Sequence, residues 1–369
     1  MKSQHRAAMV MGCLLLLCTL SILLIPSRHG SEIPPAALWY NELTGQRSRG
    51  QALSPGDTIG IIAPASPALQ EELDNELALL HAMGYKTKVG ESATTDGTYL
   101  AGSDDLRARD INEFFRDDSV QAILCLRGGY GSARLLSQLD YQMIARHPKL
   151  FIGFSDITAL HTALGQRSHL VTIHGPVLTS LTHDTTAYTL YQFEQGLTGT
   201  DVPGNVPMPD GIELSSLVPG TAEGRLCGGN ITILASLAGT PYELRGDDGI
   251  LFLEDTYESP YQLDRDLLQL YQSGLLSRVR GIVFGLFPDQ DGHAAEREEH
   301  DDIIAHYASL AGKPAIKNFP ASGNPGPPHG RRRRYSQSGT AGKPGRSCRQ
   351  IKKLEIPDKK CCHTMDITP

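Results

Sequence analysis

Two stretches of this chain share one grammar. "VQAILCLRGGYGSARLL" (residues 120–136) and "LFIGFSDITALHTAL" (residues 150–164) each pass from an apolar strand through a glycine-bearing turn directly into a helical pattern. "DTIGIIAPAS" (residues 57–66) reads as a buried first strand ending in a proline-containing turn, followed by helical spacing over 69–83, and "YKTKVG" as a short strand. Helical periodicity returns over 103–115, where Ser103 or Asp104 can cap. Buried strands alternating with helices predict a parallel, doubly wound α/β sheet. Ligands of such sheets bind where loops meet at the carboxyl ends of the strands. The turns at 128–131 and 153–156 are therefore candidates for a single site.

The chemistry open to each turn differs. Glycines at 128, 129 and 131 let backbone amides approach an oxyanion or phosphate, or simply make a tight turn. "GGYGSA" has the wrong glycine spacing for a dinucleotide fingerprint. At the second turn, a serine between strand and helix can lift its hydroxyl above the sheet, with the next amide aimed at a developing oxyanion. That makes Ser155 a nucleophile and the amide of Asp156 an oxyanion donor, while a helix cap is the other reading of the same serine. Further on, "GILFLEDTYESPYQLDRDLLQLYQSGLL" holds a strand over 250–253 that ends in Glu254 and Asp255. A helix with apolar positions at Leu263, Leu267, Leu268 and Tyr271 follows. A carboxylate at such a strand end can orient a catalytic histidine or serve as an ordinary salt-bridged acid.

Length, at 369 residues, allows two domains. The net charge of -7 argues against nucleic acid as a partner, although it conceals a basic tail: residues 321–369 carry eleven Lys or Arg against three Asp or Glu. Residues 7–25 are uncharged and strongly apolar, preceded by Lys2 and Arg6 and closed by Pro26. This run reads as a signal peptide or membrane anchor, placing the following domain outside the inner membrane or anchored in it. Only Cys125 and Cys227 of the seven cysteines lie in the body, so neither a disulfide framework nor a metal motif is implied. The expected organisation is a signal or anchor (1–26), a linker (27–52), an N-terminal α/β domain (53–195), an interdomain linker (196–222), a smaller mixed α/β C-terminal domain (223–320) altered at its end, and a disordered tail (321–369).

"LRGGYGSARLL", "GFSD", "HGP", "GRLCGGN", "GTP", "GILFLEDTYESPYQLDRDLLQL" and "GIVFG", in this order, resemble the LD-carboxypeptidase (muramoyltetrapeptide carboxypeptidase) family of serine peptidases, which includes microcin C immunity-type peptidases. The resemblance spans about residues 55–320. It implies Ser155 as nucleophile, Glu254 as charge-relay carboxylate, and the amides of Asp156 and Gly129 as oxyanion hole. It further implies release of the terminal D-alanine from murein tetrapeptide, no metal or organic cofactor, and a homodimer. A basic side chain is expected to pair with the substrate carboxylate, and Arg127 and Arg225 are the candidates. The immunity branch, cutting a peptide-nucleotide antibiotic, and a catalytically impaired murein-peptide binder are the alternatives.

The chain departs from this pattern at the histidine. In the family it follows a K-P-x-x-x-x-F-P-x-G-H type of segment, whereas here "KPAIKNFP" (residues 313–320) leads into "ASGNPGPPHGRRRR", and Ser322, Gly323 and Asn324 occupy its place. A shifted reading frame, a replaced terminus or a degenerate gene is the expected origin of such a tail. His329 is the histidine left in that stretch. His161 and His174 read as core or helix-surface residues, and His293, His300 and His306 as belonging to a charged, exposed helix.

Overall fold

The computed structural model describes residues 47–182, 185–199, 208–287, 294–320 and 353–356. Its first half builds β1 (Ser48–Arg49), β2 (Thr58–Ile62), β3 (Lys86–Val89), β4 (Ala122–Cys125), β5 (Leu150–Gly153), β6 (Leu170–Val171) and β7 (Ile173–His174). Five of these form an all-parallel sheet in the order β3-β2-β4-β5-β7, while β1 and β6 pair separately. Every residue of β4 and β5 is buried, as expected for strands covered on both faces. The helices Gln70–Ala82, Asp104–Arg116 and Thr158–Arg167 follow β2, β3 and β5. Ser103 caps the second of them, its hydroxyl accepting from the Leu106 amide at 3.2 Å. The order reverses at β2, so the loops after β2 and β4 part above the sheet at the switch point between these two strands.

The second half builds β8 (Ser215–Val218), β9 (Gly220–Glu223), β10 (Arg225–Asn230), β11 (Gly249–Glu254), β12 (Gly281–Phe284), β13 (Ala315–Lys317) and β14 (Lys353–Ile356), of which β8 and β10 to β13 form a second sheet. Its order is β10-β11-β12-β13-β8, parallel except for β8, and β9 pairs antiparallel with β14. The chain is thus an α/β protein with a parallel N-terminal sheet and a mixed C-terminal one.

Three differences from the sequence reading have physical causes. The stretch read as a linker, 196–222, ends the helix Ala187–Thr198 and supplies β8 and β9, because "SSLV" pairs with the sheet edge despite its polar flanks. The tail read as disordered contributes β14, whose "KLEI" alternates charged and apolar residues beside β9. On the helix Pro260–Gln272 the buried face is Leu263, Asp266, Leu267 and Leu270, leaving Leu268 and Tyr271 exposed.

The halves meet on the helix that follows β5. Thr158 through Leu164 are all buried, the polar Thr158, His161 and Thr162 included, so this stretch is enclosed by protein. Gly229, at φ +142°, lies so near Thr158 that a Cβ there would fall 2.6 Å from the threonine hydroxyl. The neighbouring Asn230 amide donates to that hydroxyl at 3.0 Å. Since Asn230 is the register partner of Glu254, this contact brings the β11 carboxylate to the start of the Ser155 helix. No helix among the described residues is long and apolar enough to cross a membrane; the apolar run at 7–25 lies outside them.

Candidate active site

Ser155 occupies a strained turn. β5 ends at Gly153, where a Cβ would come within 2.9 Å of the Ile157 side chain, and Phe154 is extended. Ser155 then takes φ +61°, a region costly for a non-glycine residue, and the chain enters a 3-10 turn (Ser155–Ile157) and the helix Thr158–Arg167. No side chain caps either segment, so the capping role available to this serine in the sequence is not the one it adopts. The hydroxyl lies under the glycine-rich turn instead. A Cβ built on Gly128 would stand 3.1 Å from Ser155 Oγ.

That turn is laced from two sides. Gly129, at φ +108°, leaves no room for a side chain, since its Cβ would meet Ser66 Oγ at 2.2 Å. Ser66 accepts from the Tyr130 amide at 3.3 Å through Oγ, donates that hydroxyl to Tyr99 O at 2.8 Å, and donates its own amide to Gly128 O at 3.2 Å. On the other side the Ser132 amide donates to Asp156 Oδ2 at 2.8 Å, and Ser132 Oγ to the Asp156 carbonyl at 2.5 Å. Burial raises the Asp156 carboxyl pKa, opposed chiefly by these Ser132 hydrogen bonds. The Asp156 side chain thus braces the turn from below.

Glu254 ends β11 fully buried. A Cβ on Gly285 would press within 2.9 Å of its Cβ, so the small residue in "GIVFG" makes space for the carboxylate. Asp255 beside it is structural: it accepts from Asn230 Nδ2 at 2.9 Å, the Thr232 amide at 3.0 Å and Thr232 Oγ1 at 2.9 Å, fastening the helix Ile231–Leu237. Facing Glu254 Oε1 at 3.6 Å is Nε2 of His174, on the strand paired with β5 at Gly153. The His174 ring packs edge-on against Phe252, 5.3 Å between centroids, and has no hydrogen-bond partner among the described residues. Burial, reinforced by nearby His161, pushes its pKa down to about 3. Among the described residues His174 is the histidine that faces Glu254, and its place in the sequence is the "HGP" motif. His161 is a core residue, buried and bonded through Nε2 to Gly153 O at 2.8 Å, with burial pushing its pKa down to about 4.

The remaining candidates divide clearly. Arg127 follows β4 and is exposed at the carboxyl ends of the strands. Arg225 begins β10, five residues or about 16 Å from its site-facing end, and is remote from Ser155. His300 is buried and bonds Glu258 O at 2.9 Å, not exposed as its charged neighbours suggested, whereas His306 is exposed. His293 and His329 lie outside the described residues. Among the described residues no cluster of His, Cys, Asp or Glu could hold a metal.

A glycine-roofed serine at a strained strand-to-helix turn, with a buried carboxylate delivered by a second sheet, is an arrangement for acyl transfer. The chain belongs to the LD-carboxypeptidase family of serine-type peptidases. The family's N-terminal domain matches residues 59–175 and its C-terminal domain residues 223–325. Over 274 residues, covering 73% of this chain and 84% of its relative, it is 40% identical to the probable murein peptide carboxypeptidase of Bacillus subtilis (strain 168). Murein tetrapeptide carboxypeptidase of Pseudomonas aeruginosa is 33% identical over 295 residues, 76% of this chain and 92% of that one. The crystal structure of an MccF-like protein from Bacillus anthracis str. Ames superposes with a TM-score of 0.68 at 31% identity, covering 74% and 91% of the two chains.

Proposed function

We propose that this chain is a serine carboxypeptidase that releases the terminal D-alanine of murein tetrapeptide by hydrolysing an L,D-peptide bond. The observation that carries this reading is the placement of Ser155 at φ +61° beneath Gly128, with Glu254 delivered across the domain contact. The names of the two bacterial relatives supply the substrate.

Ser155 Oγ attacks the scissile carbonyl and loses its proton to a histidine, which then protonates the departing D-alanine nitrogen. We assign that role to His174, the histidine that among the described residues faces Glu254, at 3.6 Å, and to the Glu254 carboxylate the stabilising of the imidazolium that forms. The amides of Gly129 and Asp156 receive the oxyanion, each worth about 3 to 4 kcal/mol. Water hydrolyses the acyl-serine by the reverse proton transfers, restoring Ser155 and freeing the shortened peptide. Arg127, exposed at the rim, pairs with the terminal carboxylate of the substrate.

The likeness to the MccF-like protein favours one second reading, an immunity-type peptidase cutting a peptide-nucleotide antibiotic. Incubation with murein tetrapeptide and, separately, with an aminoacyl sulfamoyl nucleotide separates the two. Release of D-alanine supports the first, cleavage of the nucleotide conjugate alone supports the second, and binding without either marks an impaired binder. The apolar run at 7–25 supports an exported or inner-membrane-anchored location, read by fractionating cells that express the full chain. A homodimer is the expected assembly, tested by the solution mass.

A further inference from the structure

We propose that Arg107 is a positioning residue for this reaction, holding the glycine-rich turn at the height from which the Gly129 amide meets the oxyanion. The inference rests on the proposed function. Nothing in the sequence marks this residue, which lies on the helix Asp104–Arg116 away from every motif, yet its side chain is fully buried.

The guanidinium is divided between two backbone carbonyls and one carboxylate. Nη1 donates to the carbonyl of Pro64, in the loop after β2, and at 3.1 Å to the carbonyl of Gly131, in the turn after β4. Nη2 pairs with Asp104, whose carboxylate is held again by Arg134, through Nη2 at 2.8 Å and Nε at 2.9 Å and 3.0 Å. One planar cation thereby ties together the two loops that part at the switch point. Gly131 has φ +121°, and a Cβ there would fall 2.9 Å from Arg107 Nη1, so the turn and the cation approach as closely as a glycine permits.

The restraint reaches the reacting atoms in two short steps. Gly131 is followed by Ser132, whose amide and hydroxyl hold Asp156 next to the nucleophile, and is separated from Gly129 only by Tyr130. Moving the Gly131 carbonyl therefore moves both oxyanion amides relative to Ser155 Oγ. A lysine at 107 keeps the charge but presents one compact ammonium, which cannot reproduce the planar fork that bonds two carbonyls and a carboxylate.

The test is Arg107→Lys, assayed by D-alanine release, by affinity for a phosphonate mimic of the tetrahedral intermediate, by affinity for the cleaved tripeptide product, and by amide exchange over residues 128–132. Expected are a kcat lower by about tenfold to a hundredfold with KM within twofold, a parallel loss of phosphonate affinity, unchanged product binding and faster exchange in the turn. A merely structural arginine would weaken product and phosphonate binding together, and that pattern, or an unchanged kcat, would overturn the inference. If Arg107→Lys does not fold, Asp104→Asn, which leaves the cation without its carboxylate, carries the same comparison: a reduced kcat at constant KM supports the inference and an unchanged kcat overturns it. A wild-type chain that releases no D-alanine overturns the proposed function instead. The exchange measurement then decides the role of Arg107 by itself, with unchanged protection in the variant counting against it.

Discussion

Gly128 leaves almost no space above the nucleophile. A methyl group there would stand 3.0 Å from Ser155 Cβ and 3.1 Å from Oγ, so the turn or the hydroxyl must give by a few tenths of an ångström. Gly128→Ala is expected to lower kcat at least about tenfold while leaving the melting temperature within a few degrees, because the strain falls on the reacting atom and not on the core. Loss of folding with no selective effect on kcat would mean that the close approach is mere packing. His174→Gln should reduce D-alanine release by about a hundredfold or more, the usual contribution of a general base. Full activity in that variant would remove His174 from the mechanism. Much of this scale was legible in the sequence. The G-x-S-D turn fixed Ser155 and Asp156 because strand, turn and helix are contiguous in the chain. That Ser66, Ser132 and Arg107 gather around the same turn was not legible, since only the fold brings distant segments together.

At the scale of elements, the helix Thr158–Arg167 is the part on which both halves depend. Its first seven residues are all buried, and one of them, His161, is neutral there because burial pushes its pKa down to about 4. The unfolded chain binds a proton on this histidine below its ordinary value of about 6.5, while the folded chain does not until about 4. Stability contributed by the neutral ring is therefore complete above about pH 6.5 and is lost as pH falls toward 4; His174 adds to the same loss down to about 3. Thermal melting should consequently drop between about pH 7 and about pH 4.5, and drop less in His161→Gln, which keeps a donor for Gly153 O without titrating. Equal drops in both proteins would refute the assignment. Strand polarity yields another prediction. Arg127→Ala should raise KM for the tetrapeptide about tenfold, whereas Arg225→Ala, at the opposite end of its strand, should leave it within twofold. The sequence left these arginines equivalent because strand direction relative to the site is a property of the sheet.

For the whole molecule, the decisive contact is the junction of the two sheets. Asn230 on Thr158 sets Glu254 beside the β5–β7 end, so Ser155 and Glu254 come from different sheets and the proposed chemistry draws on both. The α/β alternation was readable because parallel strands, buried on both faces, are nearly continuous apolar runs. The edges were not: β8, β9 and β14 are short and partly polar, and become strands only when a neighbour supplies hydrogen bonds. The chemistry proposed for this shared site is hydrolysis of an L,D-peptide bond through Ser155. Its most direct test compares D-alanine release from murein tetrapeptide by the wild-type chain and by Ser155→Ala. Release by the wild type, reduced by at least about a thousandfold in Ser155→Ala with folding intact, is the predicted result. Equal release by the two proteins would contradict it.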